Sequence, residues 1–413
     1  MTADDPDRGG RWRIVFGSTI ALIFSTGPLI QFTFGVFVKP VSESLRIDRG
    51  RVSLALFVAL ALSGLMTPIA GRLVDRIGVR RFGIPVIILF SLAFALIGAA
   101  SSSIGLFICC YGLAGIFSAG QTPLIYAKAI ASAFDEQRGL ALGIAMAGVG
   151  IGTAVLPRLA QQLVATVGWH YAYMILGALT LVVSTSTVAL LVREQPLAGA
   201  AATQASSALG HTTSEALLSS VFWKLMAAFT MVVVACSGVM AHIVPMMTDR
   251  GVSPRTAAMA LTAGGGALVV GRLVAGYLLD VVFAPYVALF FFSMPLIAIA
   301  ILLTSPSAHE AVIATALVGS SLGAEIDLIA YLQSRYLGLR RFGEIYSYFL
   351  ALFLVGSGLG PYLMGLCFAR SGAYSIALIG FASGLAAACV VMLTFGAYPY
   401  VGKKSTAPGA RTQ

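Results

Sequence analysis

Long apolar runs and short polar gaps alternate along nearly the whole chain. A helix needs about 20 apolar residues to cross roughly 30 Å of hydrocarbon, and runs of that length predict twelve spanning segments. Helices are the expected spanning element because lipid offers no partner to free backbone groups, and the runs lack the alternation of barrel strands. The predicted spans, numbered one to twelve in chain order, are 14–38, 51–71, 82–101, 104–127, 139–166, 170–192, 221–247, 255–281, 286–305, 310–334, 342–369 and 374–399.

The gaps between these spans differ in charge and in length. Taken together, both chain ends and every second gap hold 17 Lys and Arg residues, and the opposite gaps hold 8. This predicts a multi-pass protein of the inner (cytoplasmic) membrane with both termini in the cytoplasm. The longest polar stretch is rich in Ala, Ser, Thr and Gly and divides the spans six and six. We therefore expect a six-helix bundle in 1–192, a cytoplasmic linker in 193–219, and a second six-helix bundle in 220–413 with a short cytoplasmic tail.

The composition narrows the class of protein. Hydrophobic residues make up 58% of the chain and charged residues 10%, whereas an average soluble protein carries about 25% charged residues. The net charge of +10 does not indicate nucleic acid, because the basic residues lie in short gaps and not on one soluble face. The five cysteines lie in apolar runs without metal-ligand spacing, and no nucleotide motif stands out. We expect no enzyme activity, no cofactor and no metal.

The two sets of six spans share features at one common offset. The matched segments are 71–75 with 276–280, 148–152 with 356–360, and 168–173 with 371–375. A duplicated six-helix bundle is the architecture of transporters whose halves rock around a midplane site. The glycines in 148–152 lie mid-span with no strand before them, so we expect them to permit close helix packing and not to bind phosphate.

Two segments resemble known families. The stretch 71–81 reads G-R-L-V-D-R-I-G-V-R-R and closely resembles the G-x-L-x-D-R-x-G-x-R-R loop of the major facilitator superfamily. The stretch 134–152 is similar to the fifth-helix signature of the monocarboxylate transporters and their bacterial oxalate/formate exchanger relatives. The first resemblance implies an all-α membrane fold over nearly the whole chain, with twelve transmembrane helices in two pseudo-symmetric six-helix bundles.

The loop at the end of span two also implies a contact between the halves. Asp75 lies at the cytoplasmic end of span two, and span eleven begins on the same side, near residues 340–343. A carboxylate that faces a helix start stabilises the contact by about 0.3–1 kcal/mol. The resemblance implies that Gly71, Asp75 and Arg76 form a conformational latch of the outward-open state. The alternative is a charge cluster that only sets topology.

Arg272 is the strongest candidate for substrate binding. It lies about ten residues, or ~15 Å, from the cytoplasmic end of span eight. An Arg at such a depth costs about 2.5–3.5 kcal/mol, so it has to face water, a counter-ion or a ligand. A guanidinium suits bidentate capture of a carboxylate, and the resemblance implies a substrate-binding Arg in this helix. The alternative is a permanent structural ion pair.

Two acids in span ten are the candidates for proton coupling. Glu325 and Asp327 lie at the depth of Arg272, and they stand about 200° apart around the helix, so they point in different directions. One is expected to face the cavity as counter-ion and proton carrier, and the other to serve as a structural partner. The sequence does not decide between them. In the related families an Asp often stands where this chain has Leu268, and a Lys where it has Gln31. Proton coupling in this chain therefore either uses Glu325 and Asp327 or differs from that of the related families.

Polar and aromatic residues on the central spans complete the expected substrate pocket: Gln31, Gln121, Tyr126 and Tyr331, with His242 in span seven. The tyrosines either donate to a carboxylate or fill space between helices. His242 either titrates near neutrality or is satisfied near the outer end of its span.

These features predict secondary active transport of a small organic anion, a mono- or dicarboxylate, by alternating access with proton symport or with anion exchange. The expected partners are that anion, protons and the lipid bilayer, with no nucleic acid and a functional monomer. A drug-efflux antiporter of the same fold would need acids in spans one, four and five, which have none. An anion sensor that does not transport would need an output domain.

Overall fold

The computed structural model describes residues 8–100, 103–123, 125–126, 129–130, 138–191, 210–304, 307–338 and 340–399. Within these ranges the chain is helical apart from short turns and one isolated bridge between Gly210 and Gly338. Ten of the described helices are long and apolar enough to cross a membrane. One of them, Arg138–Leu191, contains two spans, and the shorter apolar helix Ile104–Ser118 begins another. The twelve-span fold is thereby confirmed.

The described helices match the predicted spans, with differences at spans one, four, five and six. Span one consists of Arg8–Ile23, a π-helical turn at Gly27–Phe32 and Thr33–Leu45. Spans five and six share the helix Arg138–Leu191 and are divided at Gly168, whose φ of 81° suits glycine. The remaining spans are two (Arg49–Ile77), three (Val79–Ile97), four (from Ile104–Ser118), seven (Ser220–Asp249), eight (Pro254–Val281), nine (Ala284–Leu303), ten (Ala308–Tyr336), eleven (Phe342–Ser371) and twelve (Ser375–Leu393).

Two of the central spans contain irregular backbone at mid-membrane depth. Span one changes to a π-helical turn at Pro28, because proline has no N–H to continue the helical hydrogen bonds. Span four ends its regular helix at Ser118, and a short 3-10 turn, Ala119–Gln121, follows. The Thr26 hydroxyl donates to the Ser118 carbonyl at 2.9 Å. Irregular backbone inside a membrane has to be satisfied by protein or water, and here one span supplies a partner to the other.

The two halves, spans one to six and spans seven to twelve, meet along three helix pairs: two with eleven, five with eight, and one with seven. Glycines permit the closest approaches. Gly150 of span five faces Val269 of span eight, and Gly265 of span eight lies against the backbone at Ala154. The prediction that the 148–152 glycines permit close helix packing is confirmed.

We call the side at which span one begins the near side, and the opposite one the far side. At the far side, spans two and eleven are in backbone contact where Gly50 meets Gly365 and Leu366. Deeper in the same seam the rings of Phe57 and Tyr362 stack, with centroids 5.9 Å apart. The far ends of the two halves are therefore closed against each other.

The end of the predicted linker packs on the near side. Thr212 and Glu215 form a capping box that begins the short helix Thr213–Leu218. The His211 N–H donates to the Leu337 carbonyl at 2.9 Å, in the loop after span ten. Residues 192–209 lie outside the described part of the chain, and the domain limits stay predictions.

Span eight offers a test of the glycine packing. A Cβ at Gly271 would collide with the backbone of Ser320 in span ten, whereas one at Gly276 would meet open space. We expect Gly271→Ala to destabilise the protein by about 1–3 kcal/mol through overpacking. Gly276→Ala, the matched control, is expected to change stability by less than about 0.5 kcal/mol. Melting of both purified variants in one detergent measures the difference, and equal melting temperatures would contradict this packing.

Candidate functional site

Arg272 faces the seam between the two halves. It follows Gly265 by seven residues, close to two helical turns, so both lie on the same face of span eight, about 10 Å apart along the axis. Gly265 contacts the backbone of span five at Ala154. Arg272 therefore projects towards the other half of the molecule, on the near-side part of the seam.

Arg272 pairs with Asp327 of span ten, and the Nε–Oδ2 distance is 3.1 Å. The side chains are 24% and 37% exposed. Since a charge at this depth avoids lipid, we expect the exposed part of the pair to face water between the halves. Tyr346 of span eleven lies within electrostatic range of both charges. Sequence reasoning missed Tyr346, because no pattern shows which part of span eleven reaches this depth.

Glu325 points away from this pair. Its side chain is fully buried, and neither carboxylate oxygen accepts a hydrogen bond from any residue that the structure describes. Its electrostatic neighbour is the buried Cys236 of span seven, so it lies inside the second half and not at the seam. A buried carboxylate without a donor is costly, so this group needs a proton, a cation or water. Of the two acids in span ten, Asp327 is the one that faces Arg272.

The predicted polar residues of spans one and four lie close to the middle of the bundle. The Gln31 Nε2 donates to the Ser237 Oγ at 3.2 Å and so connects span one with span seven. The Tyr126 hydroxyl donates to the Gln121 Oε1 at 2.8 Å. The Gln121 Nε2 is buried and donates to no residue in the described ranges. That donor is suited to an acceptor that reaches the buried amide.

Tyr331 lies one turn nearer the near side than Asp327, where its hydroxyl accepts from Arg335 at 3.1 Å. The Arg335 guanidinium also covers the Tyr331 ring at 5.0 Å from the centroid. Tyr331 thus contacts the near-side end of span ten. The structure does not place it with Gln31 and Gln121.

Most of the predicted near-side latch lies outside the described residues. Gly71 and Asp75 belong to the helix Arg49–Ile77, but the surroundings of Gly71 and the side chain of Asp75 lie outside the described part of the structure. The same holds for the side chains that begin span eleven at residues 342 and 343. Arg76 is exposed. The latch stays a prediction.

A second charged cluster lies at the far side. The Arg49 guanidinium binds the Asp249 carboxylate through both Nη atoms, and Nη2 lies 2.8 Å from Oδ1. The Lys39 ammonium lies 3.3 Å from the same Oδ1. Lys39 and Arg49 belong to spans one and two, whereas Asp249 ends span seven. This cluster therefore connects the two halves.

Tyr374 and His242 extend the cluster inwards. Arg49 Nη1 donates to the Tyr374 hydroxyl at 2.6 Å, and that hydroxyl lies 3.3 Å from the His242 Nδ1. The His242 Nε2 lies 3.1 Å from the Ser53 Oγ and 3.0 Å from the Pro361 carbonyl. His242 is fully buried at the far-side seam, away from Arg272. Lys39 and Arg49 lie in the gap between spans one and two, and nothing in the sequence pairs them with Asp249.

The described residues contain no group of three His, Cys, Asp or Glu side chains suited to a metal ion. The chemistry that the two clusters offer is recognition of an anion by guanidinium and ammonium groups, with carboxylates as competitors.

The chain belongs to the Major Facilitator Superfamily, whose family model matches residues 18–361. It is 27% identical over 357 residues to the Escherichia coli K12 protein named Uncharacterized MFS-type transporter YhjX, covering 84% of this chain and 86% of that one. It is 26% identical over 291 residues to Monocarboxylate transporter 13 of Bos taurus, covering 68% of this chain. That match spans 65% of the bovine protein, and a match to the rat protein of the same name spans 64%.

The fold is also similar to a solved structure. The crystal structure of a bacterial homolog to the human lysosomal transporter Spinster, in an inward-facing and occupied conformation, superposes with a TM-score of 0.71. The two chains are 17% identical, and the match covers 95% of this chain and 97% of that one. This likeness bears on the fold alone and agrees with the superfamily assignment.

The Arg272–Asp327 pair can be tested by a double-mutant cycle. Arg272→Gln and Asp327→Asn each leave one charge unpaired at mid-membrane depth, so each is expected to lower the melting temperature in detergent. The double variant is expected to recover part of the loss, with a coupling of about 1 kcal/mol because the pair is partly exposed. Strictly additive losses would show that the two groups do not interact.

Proposed function

We propose that this protein carries a small organic anion, a mono- or dicarboxylate, across the inner membrane by alternating access coupled to protons. The observation that carries the proposal is the Arg272–Asp327 pair, partly exposed at mid-depth on the seam between the halves. Membership of the superfamily and the similarity to proteins named monocarboxylate transporters support it. In this proposal the near side faces the cytoplasm, and the monomer is the transporting unit.

Substrate binding follows from the chemistry of the pair. A guanidinium offers several donors in one plane and binds carboxylates bidentately. The substrate carboxylate takes the place of Asp327 at Arg272, and one counter-ion is exchanged for another. Gln31, Gln121 and Tyr126 supply neutral donors on the opposite half of the cavity, and Tyr331 contacts the anion on its near-side path.

Proton coupling follows from charge balance. Once the substrate holds Arg272, Asp327 has lost its counter-ion, and a charged carboxylate without a partner is costly in this setting. A proton on Asp327 leaves one cation, one anion and one neutral acid in the cavity. The loaded site is then electrically neutral, which lowers the cost of closing water out of the seam. Without that proton, the charges in the cavity balance only when one anion replaces another. The protein would then work as an anion exchanger.

Other residues have supporting roles in the proposed transport cycle. Glu325, buried within the second half, is the second candidate for proton carriage. Gly71, Asp75 and Arg76 hold the near side shut in the outward-open state.

The decisive experiment is uptake of labelled carboxylates of different size and charge into proteoliposomes, with and without an imposed pH gradient. Symport predicts accumulation that follows the gradient and collapses when it is dissipated. Exchange predicts counterflow that needs the anion on both sides and no gradient. A protein that moves no carboxylate under either condition would refute the proposal.

Arg272→Lys tests the role of the guanidinium in particular. Lysine keeps the charge but cannot make the planar bidentate contact, so we expect uptake to fall to background while melting stays close to wild type. Arg158→Lys, at an exposed arginine of span five, is the matched control and is expected to transport normally. Full transport by Arg272→Lys would remove this residue from the site.

A comparison of the two acids of span ten identifies the proton carrier. Asp327→Asn is expected to abolish accumulation driven by a pH gradient, because the residue can no longer gain or lose a proton, and to retain counterflow. Glu325→Gln is expected to keep gradient-driven accumulation. The reverse pattern would make Glu325 the carrier, and loss of coupling in neither variant would exclude both.

A further inference from the structure

The far-side cluster has the composition of a carboxylate receptor. We define it as Lys39, Arg49, Asp249 and Tyr374. Arg49 binds the Asp249 carboxylate through both Nη atoms, and the Lys39 ammonium lies 3.3 Å from the Asp249 Oδ1. The Tyr374 hydroxyl lies 2.6 Å from Arg49 Nη1. Two cations thus surround one carboxylate in a bidentate arrangement typical of strong carboxylate recognition.

The members are divided unequally between the halves. Both cations belong to spans one and two, whereas the acid and the tyrosine belong to the second half, at the end of span seven and the start of span twelve. Alternating access requires the far ends of the halves to separate. Separation would carry Asp249 away from Lys39 and Arg49 and leave two cations together on the first half.

Arg49 would then face the opened space beside Lys39 without Asp249, because the groups that bury it belong to the second half and leave with that carboxylate. Its residue is 9% exposed, its guanidinium lies 4.2 Å from the centroid of the Phe368 ring, and the adjoining backbone of span two contacts span eleven. The carboxylate nearest in sequence, Asp48, is paired with Arg51 at 3.3 Å and also caps the helix of span two. A new anion is the group that restores balance at Lys39 and Arg49.

We propose that Lys39 and Arg49 form a far-side binding site for the transported carboxylate, which Asp249 occupies as an internal substitute while the far side is closed. This inference rests on the proposed function and adds a second substrate position to it. The substrate binds first to the two far-side cations, in competition with Asp249, and then moves inwards to Arg272. An arriving anion thereby stabilises the far-open state that admits it.

His242 has a positioning role in this arrangement. It fixes the Tyr374 hydroxyl from one nitrogen and contacts Ser53 and the Pro361 carbonyl from the other. The charged groups that face it are Arg49 from span two and Asp249 from its own span. It therefore links the closed seam to the cluster without contacting the substrate.

Sided kinetics test the proposal. In right-side-out and inside-out vesicles of the full-length protein, Arg49→Gln is expected to raise the far-side KM for the carboxylate about tenfold or more and to leave the near-side KM within about twofold of wild type. Lys39→Gln is expected to act in the same direction and more weakly. Arg51→Gln, which removes an exposed arginine from the same helix, is the matched control and is expected to change neither KM. Equal changes of KM on both sides, or a change in kcat alone, would show that the cluster only holds the far side closed and would overturn the proposal.

A second measurement decides the matter even if no carboxylate is carried. Spin labels at Ser44→Cys and Arg255→Cys, exposed far-side positions on opposite halves, report far-side opening after the five native cysteines are replaced. In an Asp249→Asn background, lactate or oxalate is expected to increase the long-distance population, chloride is not, and adding Arg49→Gln is expected to abolish the response. An Asp249→Asn protein that responds to no carboxylate, or responds equally without Arg49, would overturn the inference, whereas absent transport in the wild type would refute only the proposed function.

Discussion

The cost of an unpartnered charge inside a bilayer governs this structure. Apart from the buried Glu325, the deep or seam-facing charges described above meet an opposite charge: Arg272 meets Asp327, and Arg49 meets Asp249. Each pair is a local solution to the same problem, because a lone ion at these positions would cost several kcal/mol. The pairs also make function possible, since any process that separates one of them has to supply a replacement ion. The carboxylate substrate and the proton of the proposed function are replacements of the right charge.

The two pairs differ in where their members lie, and that difference assigns them different tasks. Arg272 and Asp327 both belong to the second half, so the proposed rocking of the halves would leave them together, and only a ligand or a proton would separate them. Arg49 and Asp249 belong to opposite halves, so the same proposed motion would separate them. In the proposed cycle the first pair responds to occupancy and the second to conformation. Glycine contacts such as Gly150 with Val269 bring the two halves close together along the seam.

Local features of the sequence were sufficient for the fold and for part of the site. Hydrophobic runs determine the spans because hydrocarbon thickness sets their length, and a single Arg at mid-span stands out since it is costly there. The same reasoning placed Glu325 and Asp327 at the depth of Arg272 but could not orient them, because helix rotation depends on packing such as that of Gly323 against Leu268. It could not pair Arg49 with Asp249, which lie 200 positions apart in the chain. Contacts between halves depend on the conformation of the whole molecule.

In the proposed function, a bound carboxylate replaces Asp327 at Arg272, and Asp327 then takes up a proton. Isotope-edited infrared difference spectroscopy of the purified protein, recorded as lactate or oxalate is added, observes this step directly. We expect a new band from a protonated carboxyl group that appears with substrate, is absent in Asp327→Asn and persists in Glu325→Gln. Substrate binding without that band, or a band that survives Asp327→Asn, would contradict it.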